Sequence, residues 1–170
     1  MRTKHIVVQP YSREWEQNFL DIRNEIQDAI GELALRIEHV GSTAVPGLSA
    51  KPIIDIDVVI KDDSALDAVV SKLRAIGYMH EGDLGIAGRE AFAYEGKEHL
   101  QKHHLFVCPS DSAELKRHLA FRDYLRSHPD AVSEYGRLKE DGAKRYSDNV
   151  DKYIEFKSPF IEKTLKRIGV

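Results

Sequence analysis

Residues 53–60 read Ile-Ile-Asp-Ile-Asp-Val-Val-Ile, the longest apolar run of the chain, and two aspartates interrupt it. Its length and its richness in Ile and Val predict a β-strand. Because successive side chains of a strand point to opposite faces, Asp55 and Asp57 project together from one face. The other face, which can enter a hydrophobic core, carries Ile54, Ile56, Val58 and Ile60.

The aspartate pair is a candidate magnesium site. Two adjacent carboxylates repel each other, and burial without compensation would raise one pKa sharply. Mg²⁺ accepts a small number of carboxylate oxygens and keeps positions for water and phosphate, which suits in-line attack on a phosphate. The alternative is an edge strand whose solvent-facing aspartates have no role. Aspartate is disfavoured inside strands, which weighs against that alternative.

A glycine-serine turn precedes this strand. A shorter strand predicted over 35–40 ends at Gly41, Ser42 and Thr43. Glycine permits positive φ and close approach of the backbone, and the two hydroxyls with nearby N–H groups suit a terminal phosphate. Lys51 adds a positive charge. A Gly-Ser pair alone is a weak signal, so its value lies in its position about a dozen residues before the aspartates.

The remaining pattern predicts an α+β protein. Residues 1–108 are expected to form an α/β core and residues 109–170 a C-terminal helical region, all within one domain of 170 residues. The other expected strands lie in the glycine-rich stretch 78–94 and over 103–108. The expected helices cover 12–30, 66–76, 112–127, 129–146 and 150–167.

Composition narrows the class of protein. Lys and Arg number 25 and Asp and Glu 28, so the net charge of −3 argues against a dedicated nucleic-acid or membrane-surface binder, while leaving room for a local basic patch. Cys108 is the only cysteine, which excludes an internal disulfide and indicates a reducing compartment. The polar stretch Met1–Gln9 is too short for a signal peptide, so we expect a cytoplasmic protein without a membrane partner.

Residues 39–48, His-Val-Gly-Ser-Thr-Ala-Val-Pro-Gly-Leu, and residues 51–56, Lys-Pro-Ile-Ile-Asp-Ile, resemble the GrpB family, also called UPF0157. Residues 118–126 and the late Tyr153, Lys157 and Phe160 resemble it as well. The Gly-Ser turn followed by Asp-x-Asp on the next strand resembles the wider nucleotidyltransferase superfamily. The resemblance implies a nucleotidyltransferase-like mixed sheet with flanking helices and a C-terminal helical region.

The resemblance also implies a function. It implies Ser42 near a nucleotide phosphate and Mg²⁺ on Asp55 and Asp57. Tyr153 and Lys157, four apart on the last helix, are candidates for stacking on a base and holding a phosphate. The expected enzyme moves a nucleoside monophosphate from a nucleoside triphosphate to an unknown acceptor. A similar domain is fused to dephospho-coenzyme A kinase in some members, which hints at nucleotide or coenzyme A metabolism.

One departure from the superfamily pattern keeps alternatives open. Active nucleotidyltransferases usually carry a third carboxylate on a later strand, where this chain offers His104 as a ligand or base. Other carboxylates that could approach the site are Glu38, Asp83, Glu90 and Glu95. Without one, the chain would be a non-catalytic module that binds a nucleotide or a coenzyme A-like ligand, or a structural protein with a vestigial cleft.

Three further features have weaker interpretations. A zinc site is conceivable within His99, His103, His104 and Cys108, but strand alternation places His103 and His104 on opposite faces. Arg89, in a glycine-containing loop, is a candidate phosphate ligand, although an exposed arginine is usually only solvated. The helix face with Arg122 and Arg126 could receive an RNA acceptor, but a salt-bridged surface is favoured.

Overall fold

The computed structural model describes residues 4–170, so the first three residues of the polar N-terminal stretch lie outside it. The helices are α1 (Glu14–Ile30), α2 (Leu66–Ala75), α3 (Ala113–Ser127), α4 (Pro129–Arg145) and α5 (Val150–Ile168). The strands are β1 (Arg36–Val40), β2 (Ile54–Ile60), β3 (Tyr78–Gly82), β4 (Glu90–Tyr94) and β5 (His103–Pro109). Each predicted element is therefore present, and only the ends shift. The first helix, for example, begins at Glu14 rather than Ser12 because the Ser12 hydroxyl accepts the Glu14 N–H.

The five strands form one mixed sheet in the order β1-β2-β5-β4-β3. Strands β2 and β5 are parallel, whereas the pairs β1–β2, β4–β5 and β3–β4 are antiparallel. A mixed sheet with helices on it confirms the α+β prediction.

The main hydrophobic core lies between the sheet and helices α1 and α2. Helix α1 presents a stripe of buried residues at helical spacing, and β2 supplies its apolar face, as the alternation predicts. The stripe is Trp15, Ile22, Ile26 and Ile30, and the strand contributes Ile54, Ile56, Val58 and Ile60.

Helices α3, α4 and α5 cover the opposite face of the sheet. Val45 and Leu48, from the loop after β1, are buried against Leu125 of α3 and Tyr135 of α4. Leu115 of α3 packs on the sheet itself, in a cluster with Val59 and Cys108. The C-terminal helices thus face the side of β2 that carries the two aspartates. None of the helices within residues 4–170 has both the length and the apolar character needed to cross a bilayer.

Candidate active site

The pairing of β2 with β5 determines which side chains lie at the base of the site. Asp55 of β2 lies opposite His104 of β5, and Asp57 lies opposite Phe106. Residues opposite each other in a sheet share a face, so these four side chains all point toward α3 and α5. His103, one residue earlier, points the other way, into the core, where its Nε2 lies 2.7 Å from the Tyr78 hydroxyl.

Both oxygens of Asp55 have close neighbours, although 33% of its side chain is exposed. Its Oδ1 accepts a hydrogen bond from His104 Nδ1 at 2.9 Å, and Oδ2 packs so close to Gly41 that a Cβ there would overlap it. Gly41 has φ of +73°, which glycine adopts at little cost. Burial alone would raise the pKa of Asp55, but the His104 hydrogen bond and the charges of His104 and Lys157 outweigh it and lower that pKa.

Asp57 is fully buried, with 0% of its side chain exposed. Its Oδ2 accepts a hydrogen bond from His118 Nδ1 of α3 at 2.6 Å, while Oδ1 is buried without a hydrogen-bond partner. Burial raises the pKa of Asp57 even though the His118 hydrogen bond opposes the shift. His118 Nε2 lies 3.6 Å from a carboxylate oxygen of Glu114, so His118 stands between two acidic groups.

A second group of charged side chains lines a small cavity of about 170 Å³, which we call the lysine pocket. Its cations are Lys51, Lys139 of α4 and Lys157 of α5. Lys139 is only 2% exposed, and its Nζ has no hydrogen-bond partner. The Nζ atoms of Lys51 and Lys157 lie 5.7 and 5.0 Å from the centroid of the Tyr153 ring. Two ammonium groups therefore lie close to one aromatic ring, and a third is buried in the same pocket.

The lysine pocket is short of negative charge. Burial lowers the pKa of all three ammonium groups, that of Lys157 to about 8 and that of Lys139 well below its usual value. Repulsion from neighbouring lysines lowers these pKa values further, from Lys102 at Lys51, from Lys51 at Lys157, and from both Lys157 and Lys51 at Lys139. Asp55 opposes the shift at all three. Buried cations are costly unless they are paired, so the pocket is suited to a ligand with several negative charges.

A larger cleft of about 530 Å³ adjoins the lysine pocket, and both cavities are lined by Ser42, Asp55, His104 and Lys157. Its apolar wall comprises Phe106, Phe121, Ile154, Ile161 and Leu165. Its charged groups include Arg89, which precedes β4, and Glu114 and Arg117 of α3. Asp55 therefore stands where a highly basic compartment meets a mixed one.

The structure brings most of the predicted residues together. Ser42, Thr43, Lys51, Asp55, His104, Tyr153 and Lys157 line the lysine pocket, and Gly41 lines the cleft. Asp57, the second predicted metal ligand, is buried behind them and lines neither cavity. The Thr43 hydroxyl, however, is hydrogen-bonded to His39 Nε2 at 2.9 Å. The Tyr153 ring is 1% exposed and lies beneath two lysines.

The carboxylates considered as a third acidic group lie elsewhere. Glu38 binds Arg122 at 2.8 Å, Glu90 binds His80 at 2.6 Å, and Asp83 accepts the backbone N–H of Gly85. Neither these three nor Glu95 is among the residues that line the lysine pocket or the cleft. Besides Asp55, the carboxylates that do reach the cleft are Glu114 and Glu162.

Arg122 and Arg126 of α3 are held by neighbouring groups. Arg122 is held by Glu38 and Asp123, and Arg126 donates to the carbonyl of Ala44, so Arg122 joins α3 to β1 and Arg126 joins it to the turn after β1. Across residues 4–170, no group of three His, Cys, Asp or Glu side chains is arranged to hold a metal.

Sequence reasoning did not place Lys139, His118, Glu114 or Tyr135 in the site. A signal for Lys139 was present in the sequence. Tyr135 follows Val132 by three residues and Lys139 follows Tyr135 by four, so all three lie on the inward-facing stripe of α4. A lysine on an apolar stripe is unusual and indicates a buried charge. His118 had no comparable local signal, since its partner Asp57 is 61 residues away.

The model of the GrpB protein family matches residues 5–167. The chain belongs to the GrpB family. A glutamate-rich protein GrpB of Alkalihalophilus pseudofirmus is 31% identical, with 96% of this chain and 95% of that protein covered. UPF0157 protein YqkA of Bacillus subtilis is 34% identical over 89% of this chain, which spans only 44% of that relative. A dephospho-CoA kinase of Mycolicibacterium paratuberculosis is 28% identical over 93% of this chain and 44% of the kinase.

Solved structures show the same fold. The crystal structure of GrpB from Enterococcus faecalis matches with a TM-score of 0.81 and 34% identity, over 95% of this chain and 99% of that one. Cid1 poly(U) polymerase bound to MgATP matches with a TM-score of 0.58 and 12% identity, over 82% of this chain and 45% of the polymerase. The nucleotidyltransferase-like fold predicted from the sequence is therefore confirmed.

We predict that Gly41→Ala will destabilise the protein more than Gly47→Ala. Both glycines have positive φ, of +73° and +81°, but a Cβ at Gly47 meets nothing within 4 Å, whereas one at Gly41 overlaps Asp55. The control should lose about 1 kcal/mol from backbone strain, and Gly41→Ala about 1–3 kcal/mol more from the overlap. Urea unfolding measures both, and equal losses would show that Asp55 is not held against the turn.

Proposed function

We propose that this protein is a magnesium-dependent nucleotidyltransferase. It would bind a nucleoside triphosphate with the terminal phosphates in the lysine pocket and the α-phosphate beside Asp55. It would then transfer the nucleoside monophosphate to an acceptor in the cleft and release pyrophosphate. The family and the fold are consistent with this reaction, and the proposal itself is based on the chemistry of the site.

The observation that carries the proposal is the lysine pocket next to Asp55. Lys51, Lys139 and Lys157 converge with Ser42 on about 170 Å³, a space suited to the terminal phosphates of a triphosphate rather than a whole nucleotide. Each buried ammonium would gain a negative partner when phosphate binds. The lysines would also stabilise the charge that develops on pyrophosphate as it leaves.

The aspartates fit a magnesium ion that shares its ligands with the nucleotide. Mg²⁺ is usually held by one or two carboxylates together with phosphate oxygens and waters, rather than by a cage of protein groups. Asp55 and Asp57 offer two carboxylates on one face, and Asp57 Oδ1 is buried without a partner. When bound there, the ion would neutralise charge on the phosphate oxygens. His104 and His118 would orient the two carboxylates through their hydrogen bonds to Asp55 and Asp57.

A binding module without turnover is the second candidate. It is favoured by the pairing of each aspartate with a histidine, which already compensates both carboxylates without a metal. The two functions differ in their need for magnesium. Tight nucleotide binding in EDTA, with no pyrophosphate release when magnesium is added, would support the module and contradict the transferase.

Nucleotide binding tests the proposal directly. We expect calorimetry with ATP, GTP, CTP and UTP in the presence of Mg²⁺ to detect binding of at least one nucleotide. Lys157→Ala should weaken that binding about tenfold or more, because it removes a charge-assisted contact to phosphate. Lys163→Ala, an exposed site on the same helix, is the matched control and should leave the affinity unchanged. Failure of all four nucleotides to bind would contradict the proposal.

Lys139→Met should make the protein more stable and its nucleotide binding weaker. The substitution removes a buried ammonium that has no hydrogen-bond partner and is compensated only in part by the Tyr135 ring, whose centroid is 4.7 Å away, and it retains an unbranched side chain of similar length. We expect a gain of about 1 kcal/mol or more in the free energy of unfolding, together with a clear loss of ATP affinity. Thermal unfolding without ligand and calorimetry with ATP give the two values. A variant that loses stability would show that Lys139 serves packing instead.

Triphosphate binding should also depend on pH. The pKa of Lys157 is lowered to about 8 by burial and by Lys51, so its ammonium charge is present below pH 8 and is lost above it. The affinity for inorganic tripolyphosphate, measured in EDTA, should therefore be highest below pH 8 and decline as the pH rises further. Lys157→Met should bind more weakly and lose this part of the decline. An unchanged pH profile in Lys157→Met would contradict the assignment of Lys157 to the pocket.

A further inference from the structure

We infer that the acceptor in this reaction is a small molecule whose attacking atom is already an oxyanion, a carboxylate or a phosphate monoester, which Arg89 binds at the end of the cleft. The inference rests on the proposed function, since it concerns the second substrate of the same site. A neutral hydroxyl group, such as the 3′ end of an RNA, is the competing acceptor that the experiment below tests.

The first argument concerns bases. A hydroxyl acceptor must lose a proton as it attacks, so the site must offer a free base within hydrogen-bond reach. Each carboxylate that lines the cleft already has a cationic or imidazole partner: Asp55 has His104, while Glu114 and Glu162 both contact Arg117 at 3.3 and 2.7 Å.

The two imidazoles in the cleft are engaged to different extents. His118 is hydrogen-bonded to Asp57 through Nδ1 and its Nε2 faces Glu114 at 3.6 Å, whereas His104 is hydrogen-bonded to Asp55 through Nδ1 alone. Among the described residues that line this cleft, His104 Nε2 is thus the one candidate base that a hydroxyl acceptor would depend on. An acceptor that brings its own negative charge does not need it.

The second argument is the position of Arg89. Its guanidinium lies 4.3 Å above the ring of Phe106, the residue opposite Asp57 in the sheet, and its Nε is buried without a hydrogen-bond partner. Arg89 precedes β4, and the loop is fixed because the Ser112 hydroxyl donates to the Gly88 carbonyl at 2.7 Å. A pre-positioned guanidinium with an unused donor is suited to binding an oxyanion.

The third argument is the balance of charge. Apart from histidines, three lysines and a single carboxylate line the lysine pocket, whereas the cleft has Arg89, Arg117 and Lys157 against Asp55, Glu114 and Glu162. A compartment with equal numbers of positive and negative side chains does not attract a polyanionic strand. Its apolar wall suits a compact carbon skeleton with one anionic group.

The reaction that follows is balanced without a proton transfer. An oxygen of the acceptor carboxylate or phosphate forms a bond to the α-phosphorus. The bond between that phosphorus and the oxygen bridging to the β-phosphate breaks, and its electron pair leaves with pyrophosphate. The products are an acyl nucleotide or a nucleoside diphosphate ester, together with pyrophosphate, which the lysine pocket holds until release.

Three probes of similar size distinguish the possible acceptors: benzoate, phenyl phosphate and benzyl alcohol. Each is incubated with the full chain, Mg²⁺ and whichever nucleoside triphosphate binds, and a short RNA with a free 3′ hydroxyl is tested in parallel. Pyrophosphate release is followed, and the adduct is identified by mass spectrometry. Benzoate and phenyl phosphate separate the two sources of oxyanion, while benzyl alcohol represents the neutral hydroxyl.

We expect benzoate or phenyl phosphate to stimulate pyrophosphate release and to form the adduct, with no stimulation by benzyl alcohol or RNA. Arg89→Gln should reduce the stimulation about tenfold or more through loss of a charge-assisted contact. Its affinity for the nucleotide should be unchanged. The matched control is Arg74→Gln, at an exposed position on α2 across the sheet.

Three results would overturn the inference: labelling of benzyl alcohol or RNA, stimulation by neither oxyanion in a protein that binds the nucleotide, or full oxyanion stimulation in Arg89→Gln. Nucleotide binding is measured separately by calorimetry. Its absence would contradict the proposed function, whereas nucleotide binding combined with any of the three results contradicts only the acceptor assignment.

Discussion

The arrangement of this protein depends on neutralising two carboxylates of β2, one fully buried and the other partly exposed. Asp55 and Asp57 lie on one face because a strand alternates, and their compensation comes from distant parts of the chain. His104 arrives on β5 and His118 on α3, while Lys157 arrives on α5. Each interaction joins β2 to a later element, and those of His118 and Lys157 also link the sheet to the C-terminal helices that cover it.

Charge is distributed unevenly around Asp55. The lysine pocket and the cleft therefore suit different kinds of ligand. The lysine pocket concentrates ammonium groups whose burial is unfavourable until an anion enters, and it therefore suits the most highly charged part of a nucleotide. The cleft has balanced charges and an apolar wall, which suits a smaller and less charged molecule. Within the proposed function, Asp55 marks the boundary at which the two would meet. The site thus combines a basic pocket suited to anions with a cleft suited to a less charged molecule.

Local patterns were sufficient to predict the elements and the position of the aspartate pair. The alternation in β2, the helical stripe of α1 and the turn at Gly41 depend on neighbouring residues, so the sequence contains them directly. The partners of Asp57 and the burial of Lys139 depend on how α3 and α4 pack on the sheet. No local pattern predicted that Glu38 would be absent from the cleft either. Its carboxylate is bound by Arg122, which lies 84 residues later in the sequence.

The central claim is that the aspartate pair and the lysine pocket form one site for a metal-bound triphosphate. The most direct measurement is anomalous diffraction from a crystal soaked with Mn²⁺ and a non-hydrolysable ATP analogue. The account predicts one anomalous peak at the carboxylates of Asp55 and Asp57, with the terminal phosphates in contact with Lys139 and Lys157. A nucleotide bound elsewhere, or bound in the pocket with no peak at the aspartates, would contradict it.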